Sequence, residues 1–181
     1  QHLFDALEDS WGLVDLTCDI NLLNDLQLLL KANSRTLTVA VHRNRTIIAL
    51  WSGFHDIAYG VAVDVGSTTV AAHMCDLSSG EILASSSLMN PQIRFGEDLM
   101  SRVSYVMMHP EGAKEMTSAI REALNTLFDG VVKQVNGSIS DILEITLVAN
   151  PIMHHLLLGI DPVELGGAPF ALTIASAVEV P

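Results

Sequence analysis

Asp64, Gly66, Ser67, Thr68 and Thr69 bring one carboxylate, one turn glycine and three hydroxyls into a single short stretch. That stretch, YGVAVDVGSTTVAA, runs from Tyr59 to Ala72. Val61 and Val63 fall on one face of the strand leading in, with Gly60, Ala62 and Asp64 on the other. The β-branched content favours a buried, pleated surface. Gly66 is expected to take a positive φ at the turn. The hydroxyls and successive backbone N–H groups then form a concave turn that suits a phosphate, with Asp64 holding a hydrated Mg²⁺. By spacing alone, the same residues also describe a tight hairpin with a polar turn.

Two further constellations follow. Asn90 and Gln92 flank Pro91, ahead of Phe95, Gly96, Glu97, Asp98 and Arg102. Their amides are candidates for binding a nucleotide or a partner group. Asp98 and Arg102 lie four apart on an expected helix, where a solvated surface pair is the simpler reading. The third runs VANPIMHH from Val148 to His155. It is a strand entering a helix at Asn150, whose free N–H groups would bind an anion; an ordinary N-cap is the plainer alternative. His154 and His155 are not expected to hold a metal. Neighbours on a helix point about 100° apart, and no carboxylate or cysteine stands at ligand spacing. His73 and His109 are isolated. No G-x-G-x-x-G, G-x-x-x-x-G-K-S/T or G-x-S-x-G occurs, which weighs against dinucleotide folds, P-loop NTPases and α/β-hydrolases.

The elements that must position these residues follow from periodicity. Leu3 to Leu7 predicts a short helix, and Trp11 to Leu16 a weak strand. Asp19 to Asn33 predicts an amphipathic helix with Leu22, Leu23, Leu26, Leu29 and Leu30 on one side, Asp19 as N-cap, and Asn33 with Ser34 as the stop. Thr36 to Val41 and Arg45 to Trp51 alternate as a hairpin around His42, Arg43 and Asn44. Residues 1–55 therefore read as a small α/β unit, and 56–181 as a second domain. In the second, a strand from Ile82 to Met89 completes a three-stranded antiparallel meander. A helix to Met108 follows. A longer one, Glu111 to Val135, carries the stripe Met116, Ile120, Leu124, Leu127, Phe128, Val131 and Val135, with Gly137 as a left-handed cap. Ile142 to Val148 reads as a buried strand, Asn150 to Leu158 as a short helix stopped by Gly159, and Leu172 to Ala175 as a last strand.

Composition narrows the function. The chain has 181 residues and a net charge of -12, from 9 Lys+Arg against 21 Asp+Glu, with no Lys or Arg beyond Lys133. That opposes a nucleic-acid partner and an anionic membrane surface. Mean hydropathy is high at +0.38, yet no apolar run reaches the roughly 18 residues of a membrane span. No signal peptide is expected in this segment, and Cys18 and Cys75 form no CxxC pair, so neither zinc nor an iron–sulfur cluster is expected in it. A cytoplasmic setting is the expectation. Ends at Gln1 and Pro181, with this apolar balance, suggest a piece of a larger protein whose surface faces missing parts or a second copy, as in a homodimer.

The stretches GVAVDVGSTTVAA, DLSSGEILASSSLMNPQIRFGEDLMSRVSY and LVANPIMHHLLLGIDPVELGGAPF, together with the order of elements, resemble the reductive activators of corrinoid proteins. Those are ferredoxin-like proteins with a C-terminal actin-like ATPase domain. The resemblance covers Tyr59 to Pro181, and loosely the small unit before it, which looks like the end of that family's middle domain. It implies an α/β, ribonuclease H-like first lobe of the actin-like ATPase superfamily. It also implies an ATP-driven return of Co(II) corrinoid protein to Co(I), using an upstream [2Fe–2S] domain. By position, Asp64 would hold Mg²⁺ through water, and Gly66, Ser67, Thr68 and Thr69 would cradle the phosphates of ATP. Asn150 would lie near the nucleotide or the corrinoid-protein interface, with Asn90, Gln92 and Asp98 as weaker carry-overs. Ala149 stands where the family commonly has Gly. The second phosphate loop and the adenosine pocket are not in this segment, so the isolated piece is expected to be inactive. Two other readings stay open: a small-molecule kinase of the same superfamily, using Asp98 or Asp161, and a non-enzymatic interaction module.

Overall fold

Leu22, Leu26 and Leu29 share one side of a helix and pack on Leu7, Ile47 and Leu50, closing the core of the first of two units. The computed structural model describes residues 2–32 and 36–180, and the units divide between Ile57 and Ala58. The first contains α1 (His2–Trp11), β1 (Thr17–Cys18), α2 (Ile20–Ala32), β2 (Leu37–His42) and β3 (Thr46–Ser52). Its sheet runs β1-β3-β2, with β1 parallel to β3 and β2 antiparallel. Arg43 and Asn44 turn the hairpin with φ of 50° and 56°, the left-handed pair that matches strand twist. Helix α1 runs on to Trp11, so the strand expected from Trp11 to Leu16 does not form. Gly12, at φ 66°, ends the helix with its N–H on the Glu8 carbonyl. The Asp19 carboxylate accepts from the Asn21 N–H at 2.7 Å. The stop expected at Asn33 and Ser34 lies outside the described residues.

The second unit contains β4 (Tyr59–Val65), β5 (Thr69–Asp76), β6 (Ile82–Met89), α3 (Leu99–Met108), α4 (Gly112–Gln134), β7 (Ile142–Ala149) and α5 (Pro151–Leu158). A 3₁₀ turn, Pro91–Phe95, links β6 to α3. The sheet order is β6-β5-β4-β7: an antiparallel meander with β7 added parallel to β4. This is the α/β, ribonuclease H-like first-lobe arrangement expected from the sequence. Ile120, Leu124, Leu127 and Val131 of α4 bury against Val61, Val63, Val65, Val70, Ala72 and Met74 of the sheet. Full burial of each such Ile or Leu contributes about 1.5–3 kcal/mol. No helix among the described residues is long and apolar enough to cross a membrane.

Three local expectations change. Strand β7 is not buried: it is the outer strand, and Ile145, Leu147 and Val148 are 42%, 39% and 59% exposed. The left-handed residue after α4 is Asn136, at φ 53°, not Gly137. Asn tolerates that region through local polar contacts. Gly137 serves close packing instead, since a Cβ there would stand 3.0 Å from the Tyr59 ring. Residues 167–180 form no strand, so Leu172 to Ala175 is irregular.

A candidate phosphate loop at the β4–β5 turn

Val65 pairs with Val70, and Gly66, Ser67 and Thr68 make the turn between them. The Gly66 N–H donates to the Thr69 carbonyl at 3.0 Å and closes it. Gly66 does not adopt a left-handed φ, contrary to the expectation from its type. It is needed for space: a Cβ there would lie 2.6 Å from the Thr69 carbonyl oxygen.

The carbonyls of the turn are all engaged from within. Asn90 Nδ2 donates to the Gly66 carbonyl at 2.8 Å, and the Asn90 backbone N–H donates to the Thr68 carbonyl at 2.8 Å. Arg102 Nη2 donates to the Ser67 carbonyl at 2.5 Å. In a trans peptide the C=O and the next residue's N–H point in opposite directions. The N–H groups of Ser67, Thr68 and Thr69 are thereby turned away from Asn90 and Arg102. Among the described residues no protein acceptor takes the Ser67 or Thr68 N–H. Thr68 and Thr69 are exposed, and so is Asp64, the next-to-last residue of β4. Successive free N–H groups with hydroxyls form an anion-binding concavity, and one exposed carboxylate suits a cation that keeps most of its water. These donors fit a phosphate group with its Mg²⁺.

Asn90, Gln92, Asp98 and Arg102 have roles different from those their types suggested. Asn90 and Gln92 are fully buried. Asn90 braces the loop, and its Oδ1 also accepts the Gln92 N–H. Gln92 Nε2 donates to the Met116 carbonyl at 2.9 Å, so both amides face inward rather than toward a ligand. Asp98 caps α3 by accepting the Ser101 N–H at 2.7 Å, while the Asp98 N–H donates to the Ser101 hydroxyl. The Ser101 backbone bond, then its hydroxyl, hold the Asp98 carboxyl below its usual value.

Arg102 does not form the expected surface pair. It is 0% exposed, and its guanidinium reaches the Gly96 carbonyl at 3.0 Å, Met153 Sδ at 3.1 Å and the Ser67 carbonyl. Burial pulls it below the ordinary arginine value, and the Asp98 charge acts in the opposite direction. Its inward course was present in the sequence: Leu99, Arg102, Val103 and Val106 share one helical face. Gly96 allows the approach, because a Cβ there would stand 2.7 Å from the Arg102 backbone nitrogen.

Asn150 caps α5, its Oδ1 accepting the Met153 N–H at 3.0 Å. Ala149 is in register with Val65, so the N-terminus of α5 and the loop leave the sheet at the same edge. His155 is fully buried, with Nδ1 on the Pro151 carbonyl and Nε2 accepting the Thr173 N–H, which leaves neither nitrogen for a metal. No group of three His, Cys, Asp or Glu suited to a metal occurs among the described residues. A separate open groove of about 590 Å³ is lined by Arg94, Phe95, Tyr105, Lys114 and Glu115, among others, and includes none of the loop residues.

A ribonuclease H-like α/β lobe, an antiparallel meander with a fourth strand added in parallel, is the class these features define. The chain belongs to the RACo family: the family model of the RACo linker region matches residues 1–57, and that of the RACo middle region residues 59–181. It is 38% identical over 112 residues to the "Corrinoid activation enzyme RamQ" of Eubacterium limosum, taking in 62% of this chain and 19% of that protein. A solved structure, "Reductive activator for corrinoid,iron-sulfur protein", superposes with a TM-score of 0.77 at 27% identity, over 94% of this chain and 28% of the other. The chain thus spans 19% of the curated relative and 28% of the solved one.

Proposed function

We propose that this chain supplies the first half of a Mg·ATP cleft in an ATP-dependent reductive activator of a corrinoid protein. The observation that carries this reading is the β4–β5 turn, whose carbonyls are held inward by Asn90 and Arg102 while the Ser67 and Thr68 N–H groups have no acceptor among the described residues. Membership of the RACo family and the likeness to two corrinoid activators supply the acceptor protein. In this reading Gly66, Ser67, Thr68 and Thr69 hold phosphate oxygens, Asp64 orients the water shell of Mg²⁺, and Asn150 lines the same edge. ATP supplies the free energy for an uphill one-electron reduction of Co(II) to Co(I). The electron comes from a [2Fe–2S] centre carried outside this stretch of chain. A cytoplasmic setting goes with that chemistry.

The kinase alternative loses its candidate bases. Asp98 is committed to capping α3, and Asp161 accepts the Val163 N–H at 2.9 Å. The test is Asp64→Ala in the full-length protein. ATP-dependent stimulation of Co(II) reduction should be lost while circular dichroism and melting stay as in the wild type. Unchanged nucleotide affinity and turnover would overturn the assignment.

A further inference from the structure

We propose that Arg102 is a positioning residue for phosphate capture, acting through the peptide that joins Ser67 to Thr68. The inference rests on the nucleotide reading above and extends it to a residue outside the loop. Arg102 is the one fully buried Lys or Arg among the described residues. None of its hydrogen bonds goes to a carboxylate: the acceptors are the Gly96 and Ser67 carbonyls and the Met153 thioether. The Asp98 carboxylate, one turn earlier, is taken by the Ser101 N–H. Beyond the charge of Asp98, which makes no hydrogen bond to it, the guanidinium is held only by dipoles, and a buried cation so held is costly to maintain. An anion on the other side of the loop offsets that cost.

The peptide geometry supplies the path. Arg102 Nη2 donates to the Ser67 carbonyl, and the Thr68 N–H belongs to the same planar unit. A charged donor on the carbonyl polarises the peptide and strengthens its N–H as a donor, as in any hydrogen-bonded chain. Arg102 therefore fixes the direction of the Thr68 N–H and adds positive potential behind it. The same guanidinium touches residues from all three constellations noted in the sequence: Ser67 in the loop, Gly96 before α3 and Met153 in α5. A lysine would keep the charge but lose the fork that reaches several acceptors at once.

The experiment compares ATP with adenosine, both with Mg²⁺, by titration calorimetry on the full-length wild type, Arg102→Met and Arg102→Lys. Wild type should prefer ATP over adenosine. Arg102→Met should weaken ATP by about 10- to 100-fold, the scale of one charge-assisted bond, and leave adenosine affinity unchanged. Arg102→Lys should restore part of the ATP affinity. Equal ATP affinity in Arg102→Met and wild type overturns the inference, as does a parallel loss of ATP and adenosine, which marks a purely structural role. If Arg102→Met does not fold, Arg102→Lys decides: a reduced ATP-to-adenosine preference supports the role, and an unchanged one overturns it. A wild type without preference for ATP over adenosine would instead overturn the nucleotide reading itself, and the role of Arg102 with it.

Discussion

Asn90 holds Gly66 by a partly buried side-chain hydrogen bond of 2.8 Å, and from the same residue its backbone N–H holds Thr68. Asn90→Ala removes the first bond and leaves the Gly66 carbonyl without its donor. The expected loss is about 1–3 kcal/mol of stability, read by urea unfolding. Asn90→Asp should cost more, because a carboxylate oxygen would then face the Gly66 carbonyl. An Asp variant as stable as wild type would contradict the assigned amide orientation.

Gly66→Ala tests the loop for space rather than for backbone freedom. Its new methyl meets the Thr69 carbonyl oxygen at 2.6 Å, a backbone atom that cannot swing aside. Destabilisation of about 1–3 kcal/mol is expected, with ATP affinity falling as the turn opens. Were the requirement conformational, d-alanine at this position would be tolerated better than l-alanine; equal tolerance of l-alanine and glycine would refute the steric account.

The Asp98 cap makes a pH prediction with a definite sign. Its carboxyl titrates below the ordinary value of 3.8 because Ser101 donates to the ionised form. A depressed native value means the folded state favours the carboxylate. The contribution to stability is present in full above the unfolded value and fades as pH falls through the lower, native one. Melting curves of wild type and Asp98→Ala should differ at neutral pH and converge in acid below 3.8. A gap that widened on acidification would reverse the assignment.

Much of the second unit was legible because its signals are local. Alternation in Tyr59–Val65, the stripe from Met116 to Val131 and the helix start at Asn150 each depend on neighbours a few residues away. What escaped depends on tertiary placement. The apolar run of Ile142–Ala149 has the composition of a covered parallel strand, but position in a sheet is not encoded in a strand's own residues. The extension of α1 through Trp11 overrode a weak alternating pattern. Asn136 and Gly137 both permit a left-handed residue; Asn136 supplies it, and Gly137 instead leaves room for the Tyr59 ring. At the loop, the residues proposed to face a phosphate follow from type and spacing. Their supports, Asn90 and Arg102, were mistaken for ligand contacts or a surface pair, because an i,i+4 charge spacing outweighed the apolar face on which Arg102 lies.

Strand β7 has a practical consequence. Its eight residues carry one charge, Glu144, and neither proline nor lysine, while its outer edge has no strand partner among the described residues. Such an edge is a template for another extended segment. Produced in isolation, this stretch of chain would pair with copies of itself and precipitate, and a solubilising lysine belongs on β7 before any binding measurement on the separate unit.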